Sequence, residues 1–176
     1  KKVVEQTSDV FNLAAGHDSQ IEQSLIVVEP KLWSTSTPNL YRLMTSVVSE
    51  GQISDEKATR IGIRHFEITK DSFKLNGKKM FLRGVNRHQE YPYIGYALSD
   101  NAQYRDAVKI KAAGFDYVRL SHYPHSPAFM DAADELGLLL LNDILGWQYY
   151  SDNESFRQQV IQTCRDMIRR DRNHPS

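Results

Sequence analysis

After about residue 71 this chain alternates strand-like and helix-like stretches, and that alternation restricts its fold more than any other feature. Lys79–Val85 reads as a strand. A helix follows from about Asn101 to Ala113, with Asp100 and Gln103 at capping-box spacing and Gly114 as its stop. Phe115–Leu120 reads as a second strand. The next helix, Pro127–Leu136, has Ser126 as N-cap, proline at its first helical position and Gly137 past its end. Phe129, Ala132, Ala133 and Leu136 supply its apolar stripe. Leu138–Leu141 is wholly apolar, the pattern of a strand buried on both faces. A third helix is predicted from about Glu154 to Arg170, opened by a Ser151/Glu154 capping box, with Phe156, Val160, Cys164, Met167 and Ile168 on its apolar side. Three βα units in a row predict a parallel α/β sheet or the opening of a barrel.

The first 70 residues have a different rhythm. Ser24–Val28 is a β-rich run stopped by Pro30. Leu40–Val48 alternates with period two and ends at the Glu50-Gly51 turn, and Ile61–Ile68 reads as a third strand. Short strands at this spacing suggest a small antiparallel sandwich. At 176 residues the chain allows one ordinary domain or two small ones, and falls short of the ~250 residues of a complete (β/α)8 barrel. It opens Lys-Lys-Val-Val without methionine or a signal-peptide core, so it is expected to begin inside something larger, and no compartment can be read from it. Lys+Arg and Asp+Glu both number 22, which gives no bulk electrostatic reason to bind nucleic acid or an anionic membrane. A lone cysteine, Cys164, excludes an internal disulfide and on its apolar stripe reads as core. No apolar run approaches the ~20 residues of a membrane span.

The chemistry lies where the strands end. In βα units the carboxyl ends of the strands face the functional side. The first delivers Arg83-Gly84-Val85-Asn86-Arg87-His88, the second Arg119-Leu120-Ser121-His122-Tyr123-Pro124, the third Asn142-Asp143-Ile144-Leu145-Gly146-Trp147-Gln148. Hydrogen-bonding side chains beside aromatic faces on one rim are the mixture that sugars need. Arg83 reads equally as a structural ion pair, and the His122-x-x-His125 spacing is a weak metal pattern because Pro124 interrupts it.

These residues resemble glycoside hydrolase family 2. Leu32-Trp33-Ser34 with Pro38-Asn39-Leu40-Tyr41 is similar to the end of that family's immunoglobulin-like domain, and Gly62-Ile63-Arg64 to its barrel entry. Leu75-Asn76-Gly77-Lys78 and Phe81–His88 resemble its first barrel strand, Val118–Pro124 its second, and Arg170–Ser176 the segment before its fourth. The match looks closest to β-galactosidase-like members. The resemblance implies an immunoglobulin-like β-sandwich at 1–68, followed at 69–176 by the first three βα units of a (β/α)8 TIM barrel. It implies a retaining exo-β-glycosidase of carbohydrate metabolism, a terminal β-galactoside or related carbohydrate as substrate, and a homo-oligomer as an allowed state, without nucleic acid or membrane partners. By the same resemblance His88, His122 and Arg119 match sugar-site residues. Asn86 belongs to the same first-strand motif, and Trp147 stands at the third strand end. No cofactor is required. A divalent or monovalent cation is allowed in the full enzyme but is placed on no residue here, because the family's Asp-Glu at the third strand is Asn142-Asp143 in this chain.

A retaining glycosidase needs two carboxylates about 5–5.5 Å apart. No residue here matches the family's acid/base or nucleophile glutamate, both expected beyond residue 176, so no catalytic residue is assigned and the chain alone is expected to be inactive. Glu90 and Asp143 are the available substitutes but lack the family's pattern. The alternatives are a non-catalytic carbohydrate-binding or structural module, and a metal-dependent barrel hydrolase using His88, His122 and Asp143. Three strands of an unclosed barrel would also leave Leu138–Leu141 partly exposed.

Overall fold

The computed structural model describes residues 1–176, which divide into two compact units, Lys1–Lys31 and Leu32–Ser176. The first holds a turn in which the His17 N–H donates to the Ala14 carbonyl at 3.1 Å, and no strand or helix. The strand expected at Ser24–Val28 is therefore absent. β-Propensity says that a side chain suits a sheet, but a strand exists only where a neighbour completes its hydrogen-bond ladder. Ile26 and Val28 are instead 80% and 81% exposed.

The second unit begins with an antiparallel ribbon, β1 (Tyr41–Ser49) and β2 (Gln52–Ile61), in register from Tyr41↔Ile61 to Ser49↔Gln52 with a shift at Val47/Val48. Glu50 and Gly51 close it, both at positive φ (51° and 77°), as a two-residue turn matched to strand twist requires. The strand expected at Ile61–Ile68 is broken in two. β2 ends at Ile61, and Gly62 packs against Pro175 and Trp33, leaving no room for a Cβ. A three-stranded antiparallel sheet follows: β3 (Phe66–Ile68), β4 (Phe73–Leu75) and β5 (Lys78–Met80).

The expected strand Lys79–Val85 also divides. Its start pairs with β4 as β5, and its end pairs with another sheet as β6 (Gly84–Arg87). Then come α1 (Asp100–Ala112), β7 (Tyr117–Leu120), α2 (Pro127–Leu136), β8 (Leu139–Asn142) and α3 (Glu154–Asp171), with β6, β7 and β8 parallel in that order. The caps of α2 are those expected: the Ser126 side chain accepts from Ala128 N–H, and Gly137 ends the helix at φ 74°. A Cβ at Gly137 would meet the Thr35 carbonyl at 2.5 Å. Two other caps are displaced. Ser99, not Asp100, caps α1, and Asn153, not Ser151, caps α3 by accepting from Phe156 N–H. Several adjacent Ser, Asp and Asn residues can each cap, and backbone direction selects among them.

Strand alternation sorts the parallel sheet into two faces. Val85, Val118, Leu120 and Leu140 pack with Ala107, Phe129, Met130, Ala132 and Ala133 of the helices. Gly84, Asn86, Tyr117, Arg119, Leu139 and Leu141 alternate with these residues and belong to the opposite face. At the amino end of that face Leu139 and Tyr117 are covered by a second cluster of Trp33, Leu75, Phe73, Met80 and Leu82. Its carboxyl end is open, which is why Leu141 is 48% exposed although Leu138 and Leu139 are buried. Trp33 fastens this cluster by donating its indole N–H to the Asp134 carbonyl at 2.8 Å. Along the far side of β8, Leu140 N–H donates to the Ser176 carbonyl at 2.8 Å. Helix α3 has no buried residue, so Cys164 is half-buried rather than core.

Candidate functional site

The register of the parallel sheet aligns Asn86 with Arg119 and Leu141, and Arg87 with Leu120 and Asn142. The segments leaving the three carboxyl ends therefore start side by side. They enclose a cleft of about 530 Å³ lined by His88, Glu90 and Tyr96 between β6 and α1, His122 and Tyr123 after β7, and Leu145 to Tyr149 after β8. The Ser121–His122 peptide is cis.

His122 stands at the centre. Its ring lies against Trp147, centroids 4.3 Å apart at 35°, and meets His88 edge-on at 5.3 Å. His88 also faces the Tyr123 ring at 6.0 Å, and Tyr123 meets Tyr96 at 5.2 Å. The cleft thus has aromatic walls around two imidazoles, with the Trp147 face mostly open. The Glu90 carboxylate is 3.8 Å from His88 Nδ1 and accepts from the Tyr96 hydroxyl at 3.2 Å. That hydrogen bond raises the Tyr96 pKa above its ordinary value, so the phenol stays a donor.

Behind His122 lies a compact polar group. Arg119 Nη2 donates to Asp143 Oδ2 at 2.6 Å and Nε to Oδ1 at 3.4 Å, a two-point clasp. His122 Nδ1 is 3.2 Å from both Arg119 Nη2 and Asp143 Oδ2. Sequence reasoning placed His88, His122, Arg119 and Trp147 in one site, and the structure gathers all four. Asn86 aligns with Arg119 and is exposed, but no hydrogen bond joins it to the group. Arg83 is exposed and contributes only its carbonyl, to Asp116 N–H at 3.0 Å.

Three participants were missed. Asp143 was set aside because it departs from a motif, yet it is the carboxylate that holds Arg119. Tyr123 stood inside the second strand-end motif without a role of its own and Tyr96 lay outside any motif, so only the meeting of their two loops, with ring centroids 5.2 Å apart, reveals them. Arg87, one residue before His88, does different work. Buried beneath the sheet, it donates to Gln103 Oε1 at 2.7 Å, Asp106 Oδ2 at 2.8 Å and His125 Nδ1 at 3.1 Å, and its guanidinium lies 4.1 Å from the Phe129 ring centre. It braces the strand end from which His88 departs.

Away from the cleft, Asp131, Asp134 and His174 bring potential ligand atoms within 4.8 Å of one another. Each already has a partner: Arg60 pairs with Asp131, and His174 Nδ1 bonds Asp134 Oδ2 at 2.7 Å.

Residues 66–176 match the model of the glycosyl hydrolases family 2 TIM barrel domain, and residues 1–64 the model described as glycosyl hydrolases family 2. A β-galactosidase of Thermoanaerobacterium thermosulfurigenes is 44% identical over 147 residues, covering 83% of this chain and 20% of the relative. A putative β-glucuronidase of Formosa agariphila is 38% identical over 152 residues, 85% of this chain and 18% of the relative. Among solved structures, the β-glucuronidase of Bacteroides uniformis superposes with TM-score 0.80 at 34% identity, over 85% of this chain and 18% of that one. The chain spans about a fifth of the length of these relatives.

Proposed function

The chain belongs to glycosyl hydrolases family 2, and we propose that it is the substrate-recognising part of a retaining exo-β-glycosidase acting on terminal β-galactosides. In this reading residues 1–68 are an immunoglobulin-like domain and residues 69–176 are the first three βα units of a (β/α)8 barrel. The observation that carries it is the convergence of His88, His122 and Trp147 on one cleft at the carboxyl ends of parallel strands. The imidazoles hydrogen-bond sugar hydroxyls, Trp147 takes a C–H face of the ring, and Asn86 and Arg119 stand behind them on the strands. Hydrogen bonds that strengthen as an oxocarbenium ion forms lower the barrier. Because no residue here matches the family's acid/base or nucleophile glutamate, the 176-residue chain binds sugar without turning it over.

A neutral sugar fits this cleft better than a glucuronide. The residues lining it include Glu90 and no lysine or arginine, and the nearby Arg119 is already neutralised by Asp143. A uronate carboxylate would enter beside Glu90 without a cation from the residues of this segment to receive it.

Calorimetric titration with galactose and glucuronate tests the proposal, together with turnover assays on chromogenic β-galactosides. Galactose binding that weakens about tenfold or more in His122→Ala and His88→Ala, the scale of one positioned hydrogen bond, with no turnover, is the expected result. Turnover abolished by Glu90→Gln or Asp143→Asn would overturn the inactive reading. Binding unchanged in both histidine variants would remove the cleft from recognition.

A further inference from the structure

We propose that Asp143 is a positioning residue for this cleft: it anchors Arg119 and holds the His122 imidazole as the Nδ1–H tautomer, leaving Nε2 to accept a hydrogen bond from a sugar hydroxyl. The inference deepens the recognition reading above and rests on it only for the identity of the ligand.

The geometry frames the choice. Nδ1 of His122 has two neighbours at 3.2 Å, a guanidinium nitrogen that can only donate and a carboxylate oxygen that can only accept. A neutral imidazole carries its proton on one nitrogen, so Nδ1 serves one neighbour or the other. Arg119 Nη2 already makes its short bond to Asp143 Oδ2 at 2.6 Å. A bare Nδ1 would set its lone pair against that same carboxylate oxygen. A protonated Nδ1 gives Oδ2 its second donor and lets the carboxylate clamp both side chains at once. The histidine and the carboxylate are largely sheltered, with side chains 18% and 16% exposed, while Arg119 is 35% exposed, so the preference between His122 and Asp143 is only partly screened. Asp143 touches no cleft space itself, since the lining passes from Tyr123 to Leu145. It acts through the two residues it holds.

The test reads the ring directly. Long-range ¹H–¹⁵N correlation spectra of the 176-residue chain, without sugar and at alkaline pH, should show His122 protonated on Nδ1 and bare on Nε2. Asp143→Ala leaves Arg119 as the only neighbour of Nδ1, so the proton should move to Nε2. Asp143→Asn keeps an acceptor oxygen and should retain the original tautomer. A carboxylate that merely stabilised the fold would not move the proton. An Nε2–H tautomer in the wild-type chain, or an Asp143→Ala ring that stays Nδ1–H, overturns the proposal. Galactose affinity should fall about tenfold in Asp143→Ala and less in Asp143→Asn. If the tautomers behave as stated but no variant binds galactose, the ligand assignment fails while the positioning role stands.

Discussion

The long antiparallel strands and the short parallel ones of the second unit do opposite things. Strands β1 and β2 run for 9 and 10 residues, paired along their whole length with one register shift, yet almost every residue of the ribbon is exposed. Strands β6, β7 and β8 are 4 residues each, yet Val118 and Leu120 are fully buried and the helices cover one face. A hydrogen-bond ladder in water largely exchanges bonds with solvent and contributes little net free energy, whereas each buried large side chain contributes about 1.5–3 kcal/mol. The short parallel sheet therefore carries the stability, and it also carries the cleft. Rigid strand ends hold His88, His122 and Asp143 in place, which a ribbon free to flex against solvent could not do.

The largest effect separating the two regions should come from Phe129→Ala. Phe129 is fully buried at the centre of the core, under the Arg87 guanidinium and 6.4 Å from the His125 ring. Truncation should lower stability by about 3–5 kcal/mol, read by urea denaturation, and should abolish galactose binding. A loss below about 1 kcal/mol would mean that the helix-covered sheet is not the folding core.

Two histidines next to that sheet make its stability depend on pH with opposite signs. His125 is buried, accepts from Arg87 at Nδ1 and faces the Ser121 carbonyl with Nε2 at 3.2 Å, so it is neutral with its proton on Nε2. Burial, the larger influence, pushes its pKa down to about 4. Below its ordinary value of about 6.5 the unfolded chain takes up a proton that the folded chain refuses. Stability is therefore full above pH ~6.5 and falls as pH drops towards 4, by up to about 3 kcal/mol. His174 runs the other way, because its hydrogen bond to buried Asp134 raises its pKa. Its contribution is present below pH ~6.5 and lost as pH rises through the elevated value. Urea titrations between pH 4 and 9 should show a maximum between the two limbs, with His174→Gln flattening the alkaline one. Amide exchange should place both limbs in the parallel sheet rather than the ribbon. A pH-independent profile would remove both histidines from the energetics.

What could be read beforehand follows the same division. The ends of α2 were legible because capping is local: Ser126, Pro127 and Gly137 decide it within a few residues. The run Ser24–Val28 misled because a strand depends on a partner that no local pattern names. Lys79–Val85 misled for a related reason, since one apolar stretch can serve two sheets and only pairing with β4 and β7 shows where it divides. In the site, His88, His122 and Arg119 were legible as strand-end residues. Asp143 was not, because its meaning comes from register. Leu120 pairs with Asn142, so the residue after each strand end, Ser121 and Asp143, is also adjacent, and His122 and Arg119 come within reach of the carboxylate. A sequence without a register holds that information only implicitly.

The smallest expected effect is the sharpest check on the comparison. Val47 lies in β1 opposite Asp55, beside the register shift, and is 52% exposed. Val47→Thr keeps the β-branched shape and the backbone ladder while replacing a methyl group with a hydroxyl. If the ribbon is held by its backbone and turn alone, stability should change by less than about 0.5 kcal/mol, the range of ordinary surface substitutions, and galactose affinity should be unchanged. A loss above about 1 kcal/mol would show that the Val47 side chain is buried against something in solution, as by a second copy of the chain. The exposed ribbon would then be an interface, and its contrast with the parallel sheet would be one between two buried surfaces of different origin. Sedimentation equilibrium on the wild-type and variant chains separates these outcomes, because only an interface makes the loss depend on protein concentration.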